Sequence, residues 1–453
     1  HRDLHSFPTR RSSDLFKSGL SSPSYKRGLL QSVTYFNSNN KVVKRVENSY
    51  KFEDEKIIYG NEVHQENPLE PRYFFISAYK LYAGKSFLET TITTQYDLNG
   101  GSPVTDSTKN IYRTDIELPV KKIEYGNDIV ETEYKYPIDF LSFYQPNNPY
   151  KTMCDLGMIN YPLETIRKRN GKVVGANLVK YALFNSPSTI IKQKEMFVFQ
   201  SDKGVSDFTP ISWNFGLAEF NKDSRYSSEV LINKYDKIGR VLEYKKNDWI
   251  DNSIIWSSYL RMSPDAIVSN TLQEKTAYSG FDYTTVAGAG IYGNWKLVQG
   301  PNWIVSNQAK IGSGAITTMQ GSGNSPIESF HNIPAGKYKV SCWQKGGAVT
   351  FPSGAVITER HVDDWIFKEA VFQISSSQKI SIYINNAIID ELKLSPVDAS
   401  MISFSYDLFD RMKGKSDDNG FGEKYVYDNA GRLIQIKDMN ENILKTFEYN
   451  YAH

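Results

Sequence analysis

A repeat near the C-terminal end constrains the fold more than any other feature of this sequence. The pairs Tyr406-Asp407, Tyr427-Asp428 and Tyr449-Asn450 recur at nearly equal intervals. Each interval holds two turn sequences separated by alternating strand formers, which predicts about one β-hairpin per unit. A single hairpin is only marginally stable in water, so each unit must stack on its neighbours.

The chemistry of the turns can be derived from one unit. The segment Asn429-Ala430-Gly431 is a turn in which Gly431 can adopt a positive φ, because it has no Cβ to clash. Asp428, just before it, can accept hydrogen bonds from the turn amides. The segment 438–442 forms the opposite turn, so strands are expected on both sides of Gly431.

This unit resembles the YD repeats of bacterial RHS-type proteins, which run Tyr-Asp, then Gly-Arg-Leu, then Asp-x-x-Gly-Asn. The matching residues are Tyr427, Asp428, Gly431, Arg432, Leu433, Asp438 and Asn442. The sequence departs from the pattern at Glu441, where the family has Gly, and at Asp410 and Met412, which replace Gly and Leu. A second, similar stretch is 235–242. The resemblance implies a partial shell of β-hairpins and, in some relatives, an enclosed toxin domain.

The totals narrow the class of protein. The 453 residues predict two or three domains, and 30 Tyr with 40% hydrophobic residues suit solvated sheets. The formal net charge is +2, and the basic residues form no stripe, so we expect no nucleic-acid partner. No apolar run is long enough to span a bilayer. Cys154 and Cys342 lack metal or redox spacing; we expect two buried thiols, with a disulfide left open.

The N-terminal part divides into an unusual start and a β-rich region. Residues 1–15 resemble translated sequencing-adapter sequence and are expected to be non-native, with the natural chain extending further. Residues 16–262 predict an RHS/YD-type region of many short strands, with hairpin turns at 37–40 and 126–128. One mixed segment, 149–165, predicts one or two helical turns. Residues 401–453 form the C-terminal YD repeats.

Between these regions the composition shifts to more Gly and Ser and less charge. Residues 275–396 predict a separate β-sandwich inserted between two YD units, with two antiparallel sheets around an apolar core. The segment 335–343, Trp365 and the closing segment 389–394 resemble the jelly-roll modules that bind carbohydrates. The predicted fold class is therefore all-β, a YD-repeat hairpin sheet forming a partial shell with an inserted sandwich.

Aromatic residues of the sandwich suggest glycan binding, since sugar rings stack on exposed aromatic faces. Alternation places Tyr338 and Cys342 on the core face of one strand and Trp343 on the polar face. On another strand, Tyr383 faces outward. We predict Trp343 and Tyr383 as glycan-binding residues; the alternative is that a loop or a neighbouring unit covers them.

A structural calcium ion is a further candidate. Asp390 lies in the last strand of the predicted sandwich, near the place where similar jelly-roll modules hold calcium. Calcium requires six or more oxygen ligands, and Asp390 is the one candidate ligand that the sequence offers. The alternative is a solvated strand carboxylate. No other cofactor is predicted.

No catalytic motif supports an enzyme, and we predict no catalytic residues. The sequence therefore predicts a non-enzymatic surface or secreted RHS/YD-repeat protein with a structural, adhesive or glycan-binding role. Its expected partners are carbohydrate or cell-surface polymers and other RHS-associated proteins. The alternatives are a polysaccharide-acting enzyme with a binding module, or an RHS core fragment of a polymorphic toxin system.

Overall fold

The chain divides into two compact units, each built from β-strands. The computed structural model describes residues 23–65, 74–140, 148–186, 188–214, 219–247, 249–256, 262–282, 290–298, 303–318, 325–407 and 409–449. The first unit comprises His1–Leu178 with Val198–Tyr226, and the second comprises Val179–Phe197 with Ser227–His453. The predicted non-native segment, 1–15, lies outside the described residues.

The first unit begins with a long antiparallel meander. Its elements are β1 (Ser32–Phe36), β2 (Val42–Gln65), β3 (Phe74–Gln95), β4 (Val104–Arg113), β5 (Leu118–Tyr125), β6 (Ile129–Lys135), α1 (Pro149–Asp155), β7 (Glu164–Arg169), β8 (Lys172–Ser186), β9 (Ser188–Val205), β10 (Ser212–Asn214) and β11 (Glu219–Asn221). Short 3₁₀ helices lie at Ser24–Lys26 and Pro137–Phe140. Strands β8 and β9 have residues in both units.

Neighbouring strands of this meander are neighbours in sequence. β1 pairs with β2, and the antiparallel pairing continues strand by strand to β8. The predicted turns at 37–40 and 126–128 join β1 to β2 and β5 to β6. The helix α1 is shorter than the segment 149–165 that suggested it. Asn148 caps its first turn by accepting a hydrogen bond from the Tyr150 amide.

The second unit holds the remaining strands. They are β12 (Ser227–Tyr235), β13 (Val241–Lys246), β14 (Ile250–Ile255), β15 (Ala266–Ser269), β16 (Ala277–Ser279), β17 (Gly290–Tyr292), β18 (Trp295–Leu297), β19 (Trp303–Ser306), β20 (Ala315–Thr318), β21 (Ser325–Ser329), β22 (Gly336–Lys345), β23 (Ala348–Thr350), β24 (Val356–Val362), β25 (Trp365–Ile374), β26 (Ser381–Asn385), β27 (Ile388–Pro396), β28 (Ser400–Tyr406), β29 (Met412–Ser416), β30 (Gly422–Tyr427), β31 (Leu433–Asp438) and β32 (Ile443–Thr446). A 3₁₀ helix lies at Gln273–Lys275.

Nine of these strands form what we call the hairpin array, β12–β15 followed by β28–β32. Each pairs antiparallel with the next. The pairing of β15 with β28 joins Ser269 to Ser400, so the array continues directly across the inserted segment. The YD-like stretch near Tyr235 and the C-terminal repeat therefore belong to one run of paired strands.

The inserted segment forms a sandwich of two sheets. One has the order β19-β20-β27-β22-β25-β24, with β16 also paired to β27, and the other has the order β17-β18-β21-β26-β23. Fully buried side chains fill the space between them, among them Trp295, Val340 and Ile382. These features confirm the predicted all-β fold class, a hairpin sheet with an inserted sandwich.

Candidate functional site

Five connections of the hairpin array are five-residue turns in which one carboxylate organises the backbone. Asp428 Oδ1 accepts hydrogen bonds from the amides of Ala430 and Arg432, each at 2.9 Å. The Asp428 amide donates to the Arg432 carbonyl, and the Gly431 amide donates to the Asp428 carbonyl. Gly431 has φ +79°, the left-handed conformation that ends a three-residue hairpin loop.

The same turn geometry occurs at seven places in the described chain. The organising residues are Asn37, Asp97, Asp236, Asp407, Asp417, Asp428 and Asp438. The fourth residue of each turn has a positive φ: Asn40, Gly100, Gly239, Asp410, Gly420, Gly431 and Glu441. The turn is thus general to both units, and the Gly of the pattern is replaced by a strained residue at Asp410 and Glu441.

Three of these turns carry a second anchor from an arginine. Arg240, Arg411 and Arg432 each donate from Nε to the second carboxylate oxygen of the turn, at 2.7 Å. In the turn at Asp438, the Asn442 side chain takes this place at 2.9 Å. The amide and guanidinium of Arg432 hold the pKa of Asp428 below its usual value. The spacing of Asp and Arg in the repeat is therefore set by the hydrogen bonds with which these two residues close one turn.

Each anchored arginine is also covered by an aromatic ring from the next hairpin. The guanidinium carbon lies 5.1 Å from the Tyr427 ring centre for Arg411, and 5.0 Å from that of Tyr449 for Arg432. The covering tyrosines donate to backbone carbonyls just beyond the arginines: Tyr427 to Met412 at 2.8 Å, and Tyr449 to Leu433 at 2.9 Å. We call this alternation of arginine and aromatic ring the ladder. It links each hairpin to the following one through a cation–π contact and a hydrogen bond.

The first rung of the ladder uses a different aromatic residue. Arg240 lies 4.6 Å from the Trp256 ring centre, and Trp256 Nε1 donates to the Val241 carbonyl at 2.9 Å. Trp256 thus occupies the structural place of the repeat tyrosine. The Tyr-Asp pattern does not assign this residue to the ladder, because the pattern requires a tyrosine. The signal that could have assigned it is an aromatic residue about sixteen positions after the arginine.

A buried polar network joins the sandwich to the array. Glu391 of β27 is 2% exposed. Its Oε1 accepts from the Tyr278 hydroxyl at 2.5 Å, and its Oε2 accepts from Ser403 at 2.6 Å and Ser416 at 2.7 Å. Lys393 Nζ lies 3.5 Å from the same carboxylate and donates to Ser416 at 2.7 Å. We call these five side chains the junction network.

The backbone at the junction network is itself unusual. A β-bulge lies opposite Cys342, and Glu391 there has φ +53°. Burial, reinforced by Glu391, raises the pKa of Tyr278 well above its usual value, and burial lowers the pKa of Lys393. Both pKa shifts arise because charged and polar groups are enclosed between the strands, away from water. The sequence offered no motif for this network, because its members come from four strands.

The structure corrects the prediction for Trp343. Its side chain is fully buried, so it presents no open face to a sugar. Phe367 packs edge-on at 5.3 Å between ring centres, and Lys310 Nζ and the Arg360 guanidinium lie 5.0 and 5.6 Å from its ring. Tyr338 and Cys342 face the core as predicted, but a loop and strand β24 cover the opposite face of the strand as well.

Tyr383 lies on β26, where the buried neighbours Ile382 and Ile384 alternate with exposed residues. Its side chain is 40% exposed. Across the sheet it stands beside Pro326 and Thr350. The geometry leaves the ring accessible, and glycan binding at Tyr383 stays a prediction.

Asp390 is fully buried, which corrects the expectation of a solvated strand carboxylate. Its Oδ2 accepts from the amides of Lys310 and Ile311 at 2.8 and 2.9 Å, and its Oδ1 accepts from the Glu391 amide at 2.7 Å. Backbone donors thus occupy the oxygens that a calcium ion would use. In the part of the chain that the structure describes, no three His, Cys, Asp or Glu side chains are grouped so as to hold a metal ion.

One buried acid in the first unit has a feature shared with catalytic carboxyls. Burial raises the pKa of Glu164, which is 1% exposed. Its oxygens accept from the Ile211 amide at 3.0 Å and from the Tyr226 hydroxyl at 3.0 Å. These contacts tie three separate segments together, which accounts for the burial of the acid. Cys154 and Cys342 are both free thiols.

Comparisons with known proteins give distant structural matches. No protein-family model matches the chain, and no curated protein matches it. A crystal structure of TcdB2-TccC3-TEV aligns with a TM-score of 0.26 and 8% identity, covering 87% of this chain and 24% of that chain. The structure of TcdB2-TccC3 aligns with a TM-score of 0.20 and 8% identity, covering 91% of this chain and 28% of that chain. The structure of TcdB2-TccC3-Cdc42 aligns with a TM-score of 0.19 and 10% identity, covering 91% of this chain and 16% of that chain.

This chain therefore spans 24%, 28% and 16% of the length of these three matched chains. Among the described residues, no helix has both the length and the apolar character needed to cross a bilayer.

Proposed function

We propose that the protein is a non-enzymatic scaffold of the YD-repeat kind, surface-exposed or secreted, whose hairpin array carries the sandwich. The observation that carries this proposal is the ladder. Each of its rungs uses an arginine, a carboxylate and an aromatic ring for contacts between hairpins, as at Arg411, Asp407 and Tyr427. These charged and aromatic side chains are engaged in holding neighbouring strands together.

The junction network supports the same role. A sandwich joined to its carrier by a flexible linker would leave Glu391 and Lys393 in water. Here both are buried and hydrogen-bonded to Ser403 and Ser416 of the array. Buried charged groups of this kind are costly unless fully paired, so the arrangement favours a fixed attachment.

The scaffold role is tested by separating binding from turnover. The full chain is incubated with neutral and acidic polysaccharides, and the release of reducing ends is measured beside retention on gels that contain the same polymers. We expect no release above that of a heat-denatured sample. Release that is abolished by Glu164→Gln, in a variant whose circular dichroism is unchanged, would establish the polysaccharide-acting enzyme instead.

Glycan contact by the sandwich is a second candidate function, favoured by the exposed ring of Tyr383. The matched variants are Tyr383→Ala and Tyr449→Ala, since Tyr449 is also exposed but covers an array arginine. Loss of retention in the first variant alone supports a glycan site on β26. Equal retention of the wild type and Tyr383→Ala would exclude a glycan site on β26.

A further inference from the structure

A polar groove lies on the outward face of strands β6 to β9 in the first unit. Its volume is about 610 Å³. Its polar lining residues include Thr132, Thr165, Arg167, Arg169, Asn177 and Gln200. Ligand pockets commonly have volumes of about 300–1,000 Å³, so the polar groove has the size of a binding site.

Strand alternation explains why these side chains share a face. On β7, Glu164 and Ile166 are buried, whereas Arg167 and Arg169 are exposed. Thr132 of β6 and Gly175 of β8 both lie directly opposite Arg167. Because Gly175 has no side chain, it leaves a gap beside Arg167 that forms the floor of the polar groove.

The guanidinium of Arg167 has neither an ion pair nor a hydrogen bond among the described residues. Arg169 has a single loose contact, with Nε 3.8 Å from Asp128 Oδ2. Elsewhere in the same unit, Arg225 is held by Asp223 at 2.7 Å and Asp207 at 2.8 Å. The two groove arginines therefore differ from an arginine that serves the fold.

The chemistry of the lining indicates the class of ligand. A guanidinium matches the planar, two-oxygen edge of a carboxylate better than any other side chain does. Two of them on alternate residues of one strand are about 7 Å apart along the backbone. Thr132, Thr165 and Asn177 add hydroxyl and amide groups that can both donate to and accept from sugar hydroxyls.

Other anionic ligands fit less well. A nucleic acid requires a basic stripe, but acidic residues flank the arginines, with Asp202 in the lining and Asp128 beside Arg169. A peptide added to a sheet requires an open strand edge, whereas β7 is paired on both sides. We propose that the polar groove binds acidic saccharides, with Arg167 and Arg169 holding the carboxylate of a uronic-acid residue.

This proposal goes beyond the scaffold role and does not rest on it. The test is isothermal titration calorimetry of the full chain with oligogalacturonate, with hyaluronan oligosaccharides as a second acidic probe. Fully methyl-esterified oligogalacturonate is the matched neutral probe. We expect both acidic probes to bind and the ester to bind at least tenfold more weakly, because a hydrogen bond to a charged carboxylate is stronger than one to a neutral ester.

Variants then locate the site. Arg167→Gln and Arg169→Gln should each weaken binding of the acidic probe by about tenfold or more. Lys41→Gln removes the same charge from an exposed hairpin turn of the same unit and should leave binding unchanged. Gly175→Val should abolish binding by filling the floor. A Cβ at Gly175 would meet nothing closer than the Phe199 carbonyl oxygen at 3.5 Å, so this strand should keep its fold.

Three results would overturn the proposal: no binding of either acidic probe, equal binding of the acid and its methyl ester, or equal weakening by Arg167→Gln and Lys41→Gln. The last result would mean that the probes respond to total charge alone. Failure of these experiments leaves the scaffold role untouched, since that role is tested by the release of reducing ends and not by the binding of acidic saccharides.

Discussion

The hairpin array and the sandwich reach stable β-structure by different physical routes. Every residue of β30 and β31 is only partly buried, whereas the sandwich encloses side chains such as Trp295 and Leu392 with no exposure at all. The C-terminal hairpins of the array depend on polar turns and arginine–aromatic contacts between strands that are close in sequence, whereas β14, β15 and β28 also bury apolar side chains such as Ile255 and Met401. The sandwich depends on the removal of apolar surface from water by strands far apart in the chain. One chain can therefore contain two β-structures that are stabilised by different kinds of contact.

The largest effect should come from opening the sandwich core. Trp295→Ala removes a fully buried ring and the hydrogen bond from its Nε1 to the Leu392 carbonyl, and should cost about 3–5 kcal/mol. The matched control is Trp249→Ala, since Trp249 is 85% exposed and should be nearly neutral. Denaturant unfolding measures both. Similar losses in the two variants would contradict the proposed difference between the regions.

The junction network should be the next most sensitive. Glu391→Ala leaves Lys393 buried without its carboxylate partner and should cost about 3 kcal/mol. Glu359→Ala in the same sandwich removes one partner of a surface ion pair with Lys368 and should cost at most about 1 kcal/mol. Hydrogen exchange of peptides from β27 and β28 should increase together in the first variant. Exchange confined to β27 would mean that the network does not connect the two regions.

A single rung of the ladder should matter less. Arg411→Gln removes the hydrogen bond to Asp407 and the cation–π contact with Tyr427, and should cost about 1–2 kcal/mol. Faster exchange should spread into β30, which carries Tyr427. The control is Lys413→Gln, a neighbouring charge change. If both variants behave alike, the ladder contributes no coupling between hairpins.

The two turns that flank β31 allow a finer comparison. Gly431→Ala places a Cβ at φ +79° and should destabilise the array by about 1 kcal/mol. Glu441→Gly relieves a residue at φ +65° and should stabilise it by about 0.5 kcal/mol, after loss of the surface pairs with Lys424 and Lys437. Melting temperatures that move in the same direction for both variants would refute this account of the turns.

Acid should affect the two regions in opposite directions. The pKa of Asp428 is lowered by the Arg432 amide and guanidinium, so its contribution is present above pH ~4 and is lost as the pH falls through its folded value. Burial, with Glu391, raises the pKa of Asp390, so its contribution is present below pH ~4 and is lost as the pH rises. Exchange measured against pH should show the array turns loosening first on acidification. Asp428→Asn should flatten that response.

Local interactions explain which parts were predictable from the sequence. The Asp428 turn and the left-handed Gly431 follow from five consecutive residues, so their chemistry could be derived without the fold. Tyr383 and its buried neighbours follow from alternation along one strand. Trp343 failed because its second face is covered by Lys310 and Arg360, which lie on other segments. No pattern within one strand reports what packs on top of it.

Other features needed the tertiary structure for the same reason. The position of Trp256 over Arg240 does not follow from the Tyr-Asp motif, because the ladder requires an aromatic face over an arginine and a fixed two-residue motif describes that requirement too narrowly. The junction network draws one residue each from β16, β28 and β29 and two from β27. The polar groove depends on Gly175 lying opposite Arg167, which is a fact of register. Each of these is set by pairing between strands, where sequence separation hides the partners.

The pairing of Ser269 with Ser400 has a consequence for how such a protein can change over time. Antiparallel partners lie only about 5 Å apart, so the segment between them leaves and re-enters the sheet at almost one point. An inserted module whose two ends lie this close together can be lengthened, shortened or exchanged without shifting the register of either flanking strand. The array residues that contact the sandwich, among them Ser403, Ser416, Asp418 and Phe421, would have to adapt to a new occupant. The array can therefore accept different inserted modules at this one position.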